Sequence, residues 1–226
     1  MATYKLTPSD LTFLWDECRR CFYLKVRRGF RRPGGPFPSI FGRIDSLMKA
    51  YFQDKPTGSL DSSLPPGVVQ FGERWVQSQP ILLPDQENSC YLLGKFDSAL
   101  AFEDGTYGVV DFKTSQPRPH FIEFYGRQLH AYAYALEHPE AGKFMLGPVT
   151  RLGLFVVEPV DMGAASDGRL AYLGAVSWIE IPRDEQAFLG FLGEVLRVLD
   201  ASEPPPAGEA CAYCQYRQEA RDHPDY

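Results

Sequence analysis

Two Cys-x-x-Cys pairs lie at opposite ends of this chain of 226 residues, and they constrain its fold more than any other feature. The first pair is Cys18 and Cys21, and the second is Cys211 and Cys214. Four thiolates make a complete tetrahedral ligand set, and both pairs have the spacing that metal ligation requires. A shared metal would hold the two ends of the chain together, whereas unrelated free cysteines are the plainer alternative. The fifth cysteine, Cys90, stands alone, and we expect it to be a small buried residue.

The composition allows a large core, because 44% of the residues are hydrophobic and 14% are aromatic. No apolar run approaches the roughly 20 residues of a membrane span. The N-terminus lacks the basic and apolar regions of a secretory signal. We therefore expect a soluble cytoplasmic protein, in which a metal explains paired cysteines better than disulfides do.

The charge is unevenly distributed along the chain. The formal net charge of −6 argues against a protein that binds polyanions over its whole surface. Between Arg19 and Arg32, however, lie seven basic residues and no acidic one. Such a basic run is either a local patch for phosphates or a solvated helix face, and both interpretations stay open.

The predicted elements are mixed in type. Four stretches have helical periodicity. One begins near Thr7, and the other three cover residues 40–52, 121–137 and 184–200. Four stretches have strand character, and they cover residues 91–102, 107–113, 152–158 and 173–181. Residues 53–67 and 161–168 are predicted to be an exposed loop and a flexible loop. The pattern is typical of an α/β protein with strands in the middle and helices around them.

The stretch GVVDFKTS places two charged residues near the end of a predicted strand. Side chains two apart on a strand point to the same face, so Asp111 and Lys113 should stand side by side. A hairpin could bring Asp97 of the preceding strand next to Asp111. Two close carboxylates repel each other unless a cation holds them, and such oxygen ligands suit Mg²⁺ or Mn²⁺. A lysine beside that ion could position an attacking water or offset charge on a phosphoryl group.

The helix that follows carries a second polar pair. Gln128 and Tyr132 are four residues apart and therefore lie on one face of the helix. Each of these features alone is more often structural: Asp-x-Lys is common, Asp97 could cap a turn, and the pair could be ordinary helix surface. Their combination in this order is much less expected by accident.

Together, GKFDSAL, GVVDFKTS and YGRQLHAYAYAL resemble the RecB-like branch of the PD-(D/E)XK nuclease superfamily. The resemblance implies a restriction-endonuclease-like core, a central mixed β-sheet flanked by helices, and metal-dependent cleavage of DNA phosphodiesters, as in DNA repair. By position, Asp97 and Asp111 resemble the metal ligands and Lys113 the catalytic lysine. Gln128 and Tyr132 resemble the pair that contacts DNA or supports the site.

One part of the family pattern is missing. Family members often carry Gly-x-x-x-His on an early helix, and the histidine joins the metal site. In the matching segment FGRIDSLM, counting from Gly42 puts Ser46 at the histidine's place, with Asp45 just before it. Asp45 could supply an oxygen ligand instead, or it could be an exposed helix residue. The departure leaves metal preference and activity open.

The cysteine segments ECRRCFYLK and CAYCQYR are similar to those of CRISPR-associated and helicase-linked nucleases of this branch. Those members carry a four-iron four-sulfur cluster, usually on one early and three late cysteines. This chain has two early and two late ones. The resemblance favours an iron–sulfur cluster on Cys18, Cys21, Cys211 and Cys214. The two-and-two division departs from the family and keeps zinc open, and spacing alone slightly favours zinc. In either case the role is expected to be structural.

We expect one domain over residues 1–226, made of a helical N-terminal part (1–52), a PD-(D/E)XK-like core (68–200) and a cysteine-bearing tail (201–226). The predicted function is a Mg²⁺- or Mn²⁺-dependent deoxyribonuclease acting on DNA, with single strands among the candidate substrates. No nucleotide-binding Gly-x-x-x-x-Gly-Lys-Ser/Thr run is present, so any unwinding must come from a helicase partner. The alternatives are a nucleic-acid-binding or helicase-docking module with weakened catalysis, and an interaction protein stabilised by its metal.

Overall fold

The computed structural model describes residues 2–35 and 38–223. The predicted chain break at 31–39 and the end of the tail at 226 therefore lie partly outside the described residues. Within this part of the chain, a five-stranded sheet and a three-stranded sheet are flanked by helices, which confirms the predicted α/β class with a mixed sheet. None of the described helices combines the length and the apolar character that crossing a membrane requires.

The described strands are β1 (Thr3–Leu6), β2 (Gly67–Phe71), β3 (Arg74–Gln77), β4 (Ser89–Phe96), β5 (Ser98–Phe102), β6 (Tyr107–Thr114), β7 (Val149–Ala164) and β8 (Leu170–Ile181). The larger sheet has the order β2-β5-β6-β7-β8, and the smaller has the order β1-β4-β3. The pairs β6–β7 and β1–β4 are parallel, and the other neighbours are antiparallel. The parallel crossover from β6 to β7 contains a long helix, as such connections usually do.

The described α-helices are α1 (Trp15–Glu17), α2 (Arg19–Arg28), α3 (Ser39–Phe52), α4 (Phe121–Glu137), α5 (Glu185–Asp200) and α6 (Ala212–Asp222). The helices α3, α4 and α5 begin and end within one residue of their predicted limits. Each has apolar residues at helical spacing, which is the strongest signal that a sequence carries for a helix.

Alternation along β6 divides the core between the two faces of the larger sheet. Val109 packs into the main core, which includes α4 and α5. Val110 and Phe112 point the other way, into a second cluster that is closed by Phe52 of α3. The segment 53–67, predicted to be exposed, contributes buried Leu60 and Leu64 to that second cluster, so that prediction was wrong: the loop covers apolar surface of the sheet.

The N-terminal region differs from its prediction in two ways. Residues predicted to be a simple lead-in form β1, which pairs in parallel with β4. The predicted continuous helix is interrupted: a π-helical turn at Asp10–Leu14 precedes α1, and Cys18 has an extended backbone (φ −164°, ψ 102°) before α2 begins. The N–H of Gly208 donates to the Cys18 sulfur at 3.4 Å, so the break serves a contact with the far end of the chain.

Half of the predicted flexible loop at 161–168 is strand: β7 continues to Ala164, and residues 165–168 form the turn before β8. β7 and β8 form a long hairpin in which Met162 pairs with Tyr172 and Ala164 with Leu170. The turn falls at Asp167 and Gly168, both with positive φ. Aspartate and glycine adopt that conformation more easily than other residues, which explains why the chain reverses there.

Candidate active site

Asp111 and Lys113 lie side by side near the end of β6. The Asp111 residue is 3% exposed, and its Oδ2 is in ion-pair contact with Lys113 Nζ. The ammonium also lies 4.5 Å from the ring centre of Tyr125 on α4. Lys113 is therefore held between a carboxylate and an aromatic face, both of which stabilise a positive charge.

Asp97 lies where one sheet passes into the other. The predicted strand at 91–102 is divided at this residue into β4 and β5, which belong to different sheets. β5 pairs with β6 only as far as the match of Ser98 with Val110, so the N–H of Phe112 has no strand partner on that side. Asp97 Oδ2 accepts this N–H at 3.0 Å. The side chain thus replaces a ladder hydrogen bond and is fixed beside the residue that follows Asp111.

The two carboxylates affect each other. Burial raises the pKa of Asp111 to about 7, the positive charge of Lys113 opposes that rise, and the negative charge of Asp97 adds to it. The buried Oδ2 of Asp111 is in ion-pair contact with Lys113 Nζ. Two neighbouring carboxylates repel each other, and a hard cation with oxygen ligands offsets that repulsion. The donor set at Asp97 and Asp111 therefore fits a divalent ion.

Gln128 and Tyr132 are both buried on the face of α4 that faces the sheet. Gln128 Nε2 donates to Tyr132 Oη at 3.4 Å, while Gln128 Oε1 is buried with no partner in the described part of the chain. Burial raises the pKa of Tyr132, and the charges of Asp111 and Asp97 raise it further, which reports a phenol close to both carboxylates. The pair therefore lies behind the acidic residues, inside the protein.

The early helix α3 contributes Asp45 to the region around Lys113, and not Ser46, which stands at the place of the family's histidine. Ser46, at the place of the family's histidine, is exposed and donates to Gly42 O of its own helix at 2.9 Å. Asp45 is half-buried, and it lines an open groove with Phe41 and Lys113. Its Oδ2 lies 2.7 Å from Lys49 Nζ.

Two charged residues of the site, Lys49 and Glu73, were missed by the sequence analysis. Lys49 Nζ lies 2.7 Å from each of three carboxylate oxygens, which belong to Asp45, Glu73 and Asp97. Lys95 contacts the other oxygen of Glu73. The four-residue spacing from Asp45 to Lys49 was the one available signal, since it is the spacing of a helix ion pair. Glu73 had no signal, because only the folded sheet brings it to α3.

The four cysteines come together, as predicted. The sulfur-to-sulfur distances are 3.8 Å for Cys18 and Cys214, 3.8 Å for Cys21 and Cys211, and 3.6 Å for Cys21 and Cys214. All four sulfur atoms lie within 4.8 Å of one another. The arrangement can hold a metal, and we call it the cysteine site.

Hydrogen bonds to sulfur favour the thiolate form at Cys18, whereas burial raises the pKa of Cys21 and of Cys214. Burial alone would raise the pKa of Cys18, but backbone N–H groups of Cys21 and Gly208 outweigh it and lower the pKa to about 7. Arg32 Nη2 donates to Cys211 Sγ at 3.1 Å. Donors aimed at sulfur favour the deprotonated form, which is the form that binds metals.

Most members of the basic run contact other parts of the chain, although none of them is buried. Arg27 donates to the carbonyls of Leu199 and Ala201 at the end of α5, and Arg20 donates to the carbonyl of Pro205. Three more members pair with carboxylates, as Lys25 with Asp10, Arg28 with Glu203 and Arg32 with Glu17. In five of these six contacts the partner lies close to a cysteine pair in the sequence. Three partners precede the second pair (Ala201, Glu203 and Pro205), and two precede the first pair (Asp10 and Glu17). The run therefore binds the chain to itself, and it offers phosphates less than its sequence indicated.

Comparison with known proteins shows the family of this chain. A model of the PD-(D/E)XK nuclease superfamily matches residues 65–218, which is more than half of the chain. No curated protein matches the sequence. The crystal structure of SSO0001 is similar at 14% sequence identity and a TM-score of 0.43, covering 95% of this chain and 84% of that one. On the strength of the family match, this chain belongs to the PD-(D/E)XK nuclease superfamily.

Proposed function

We propose that the protein is a Mg²⁺- or Mn²⁺-dependent deoxyribonuclease of the RecB-like kind, which hydrolyses phosphodiester bonds at Asp97, Asp111 and Lys113. The observation that carries the proposal is the convergence of the buried Asp111 carboxylate with a second carboxylate, Asp97, and with the Lys113 ammonium, which is in ion-pair contact with Asp111 Oδ2. Buried titratable groups that act on one another in this way are typical of functional sites.

Asp97 and Asp111 would hold the divalent ion, which supplies Lewis acidity and neutralises charge that develops on the phosphoryl oxygens. Asp97 suits this role because its Oδ2 is fixed by the N–H of Phe112. Lys113 holds a proton at Nζ through its contact with Asp111, and this ammonium can orient a water molecule or stabilise the pentacovalent charge. Water would then add to phosphorus and release a proton to solvent as the P–O bond to the leaving oxygen breaks, and that oxygen would take up a proton from solvent.

For Gln128 and Tyr132 we propose a supporting role. Both are buried behind the carboxylates, so their polar groups face the site from inside the protein. Their hydrogen bond fixes the tyrosine hydroxyl close to Asp97 and Asp111. Contact with DNA would instead fall to residues at the groove, which include Asp45, Phe41 and Thr114.

For the cysteine site we propose a structural metal. Two occupants compete, and each has its own support. Zn–S bonds of about 2.3 Å place the sulfurs of a tetrahedron about 3.8 Å apart, which is close to the observed 3.6–3.8 Å. In a four-iron cluster each cysteine binds a different iron, so the sulfurs stand further apart. The spacing thus favours zinc, whereas the resemblance favours the iron–sulfur cluster.

Colour and metal content distinguish these occupants. Anaerobically purified protein with an iron–sulfur cluster would be brown, with charge-transfer absorption in the visible region and stoichiometric iron and sulfide. Colourless protein with one zinc per chain by elemental analysis is the result that the sulfur spacing favours. Protein with neither metal, purified without chelators, would contradict both assignments.

A second candidate function is a nucleic-acid-binding or helicase-docking module with weakened catalysis. Two observations favour it: the hydroxyl of Ser46 turns back to its own helix, and Asp97 is already neutralised by Lys49. The net charge of −6 also works against tight binding of DNA over a wide surface.

A nuclease assay separates the two functions. Wild type and Lys113→Ala are incubated with single-stranded DNA, double-stranded DNA and RNA in Mg²⁺ or Mn²⁺, with Lys143→Ala as a control for loss of an exposed lysine. We expect wild type and Lys143→Ala to cut DNA equally. Lys113→Ala should lose at least about 100-fold, because it removes a charge from the reacting centre. Binding without cleavage by wild type would favour the docking module, and absence of both would contradict a nucleic-acid function.

A further inference from the structure

Lys49 is the most heavily paired charged side chain in the described structure, with three carboxylates around one ammonium. Its Nζ lies 2.7 Å from Asp45 Oδ2, Glu73 Oε1 and Asp97 Oδ1. The side chain is 14% exposed. The three acids come from three separate places: α3, the turn between β2 and β3, and the break between β4 and β5. The ammonium is therefore the point at which these three segments meet.

The electrostatics identify Lys49 as a bound cation. Burial alone would lower its pKa, but hydrogen bonds to Asp45, Asp97 and Glu73 together raise it above the usual range of a lysine. Three carboxylate oxygens at 2.7 Å surround the ammonium, which is the setting of a bound cation. Without the Lys49 ammonium, the negative charges of Asp45, Glu73 and Asp97 would repel one another beside Asp111. Such repulsion is unfavourable in a partly buried setting.

Asp97 connects this arrangement to the proposed centre. Its Oδ1 is bonded to Lys49, its Oδ2 accepts the N–H of Phe112, and its charge acts on Asp111. A divalent ion on Asp111 would therefore share Asp97 with a neighbouring ammonium. Nuclease centres with two metals place the second ion within about 4 Å of the first. In this protein the cation next to Asp97 is already supplied by the chain.

We propose that Lys49 is a positioning residue whose ammonium takes the place of a second divalent ion beside Asp97, so that the centre binds one ion. This inference rests on the proposed function, because it takes Asp97 and Asp111 as the ligands of that ion. A plain structural ion pair would hold α3 to the sheet in the same way. It would not, however, control how many divalent ions the protein binds.

The test counts Mn²⁺ by electron paramagnetic resonance of the free ion, on full-length protein already loaded with its cysteine-site metal. Wild type should bind one ion, which Asp111→Asn removes. Lys49→Met should bind two, because Asp45, Glu73 and Asp97 become available to a cation. Lys49→Arg keeps the charge and should return the count to one. Lys95→Met is the matched control, since Lys95 also contacts Glu73 but is 43% exposed, and it should bind one ion.

The outcomes separate this inference from the proposed function. Two ions in wild type, or one ion in Lys49→Met with unchanged affinity, would overturn the inference while leaving a metal-dependent nuclease in place. No ion in wild type would overturn both. If Lys49→Met does not fold, as judged by circular dichroism, Lys49→Gln keeps most of the side-chain length and takes its place. Adding Glu73→Gln to the folded variant should bring the count of two back to one, and a persistent second ion would contradict the assignment of its ligands.

Discussion

At the residue scale, Gly94 shows how closely the fold approaches Tyr132. A Cβ at this position would lie 2.7 Å from Cδ of Pro8 and 3.0 Å from Cε1 of Tyr132. Real Cβ atoms are rarely so close to other heavy atoms, so no larger residue fits without movement. The absence of a side chain on β4 is therefore what lets the phenol lie behind the carboxylates.

We predict that Gly94→Ala destabilises the protein by about 1–3 kcal/mol, the usual cost of an overpacked core. The matched control is Gly190→Ala on α5, where a Cβ would meet nothing within 4 Å. That control should stabilise the protein by up to about 1 kcal/mol, because alanine favours a helix over glycine. Urea unfolding measures both variants. Equal stabilities would mean that Pro8 and Tyr132 move aside at no cost.

The residues of the site differ in how far sequence reveals them. Asp111 and Lys113 could be placed together because strand alternation is a local rule. Asp97 could be named as a candidate, but its bond to the Phe112 amide depends on where β5 stops pairing with β6. Lys49 and Glu73 lie 24 residues apart, and no local pattern indicates that they meet. Contacts of this kind depend on the packing of whole elements.

At the element scale, His130 joins α4 to the beginning of α5. Its Nε2 accepts the backbone N–H of Asp184 at 2.8 Å, and its Nδ1–H donates to Gly126 O at 2.7 Å, so both ring nitrogens are used by the neutral form. The tautomer follows from these two partners. Asp184 in turn caps α5 by accepting the N–H of Ala187 at 2.8 Å. Protonation of the imidazole would remove the acceptor on which this junction depends.

This junction predicts a pH dependence of stability. Burial lowers the pKa of His130 in the folded protein, and the unfolded chain has a pKa near about 6.5. Between these two values the unfolded state binds more protons, so stability is complete above about pH 6.5 and declines as the pH falls toward the folded pKa.

Urea unfolding of wild type and His130→Gln at pH 5 to 8 measures this contribution, since other titrating groups cancel in the difference. The stability advantage of wild type should shrink as the pH falls below about 6.5, with a slope no steeper than about 1.4 kcal/mol per pH unit. Two parallel pH profiles would show that His130 does not contribute.

The elements themselves were predictable to different degrees. The limits of α4 and α5 follow from amphipathic periodicity over at least 16 residues. The division of the predicted strand 91–102 at Asp97 could not be seen, because the residues on either side continue the same strand-like composition. The break at Cys18 was also hidden, since this residue contacts Gly208, which is far away in the sequence.

At the scale of the whole molecule, the cysteine site and the basic run both connect the N-terminal part of the chain to its C-terminal part. Cys18 and Cys21 meet Cys211 and Cys214, and Arg27 binds the carbonyls at the end of α5. The two-pair pattern was enough to predict that the ends of the chain meet. It could not show that most of the basic residues beside the first pair are used for the same purpose.

We predict that Cys211→Ala loses the site's metal and destabilises the protein by several kcal/mol, because metal ligation contributes to folding. Cys90→Ala is the control: this cysteine is also buried, and burial raises its pKa to about 12, so it stays a protonated thiol in the core. It should retain the metal and lose less stability. Metal content and thermal unfolding report both effects, and equal behaviour of the two variants would refute a metal-held junction.

The same junction has a consequence for synthesis on the ribosome. Cys18 and Cys21 leave the exit tunnel long before Cys214 is translated. Likewise, β1 emerges before β4, the strand with which it pairs. Domains often begin to fold while the chain is still growing. The cysteine site cannot be completed until Cys211 and Cys214 emerge, so the thiols of Cys18 and Cys21 remain open to oxidation or to a wrong metal while the residues between the two pairs are translated.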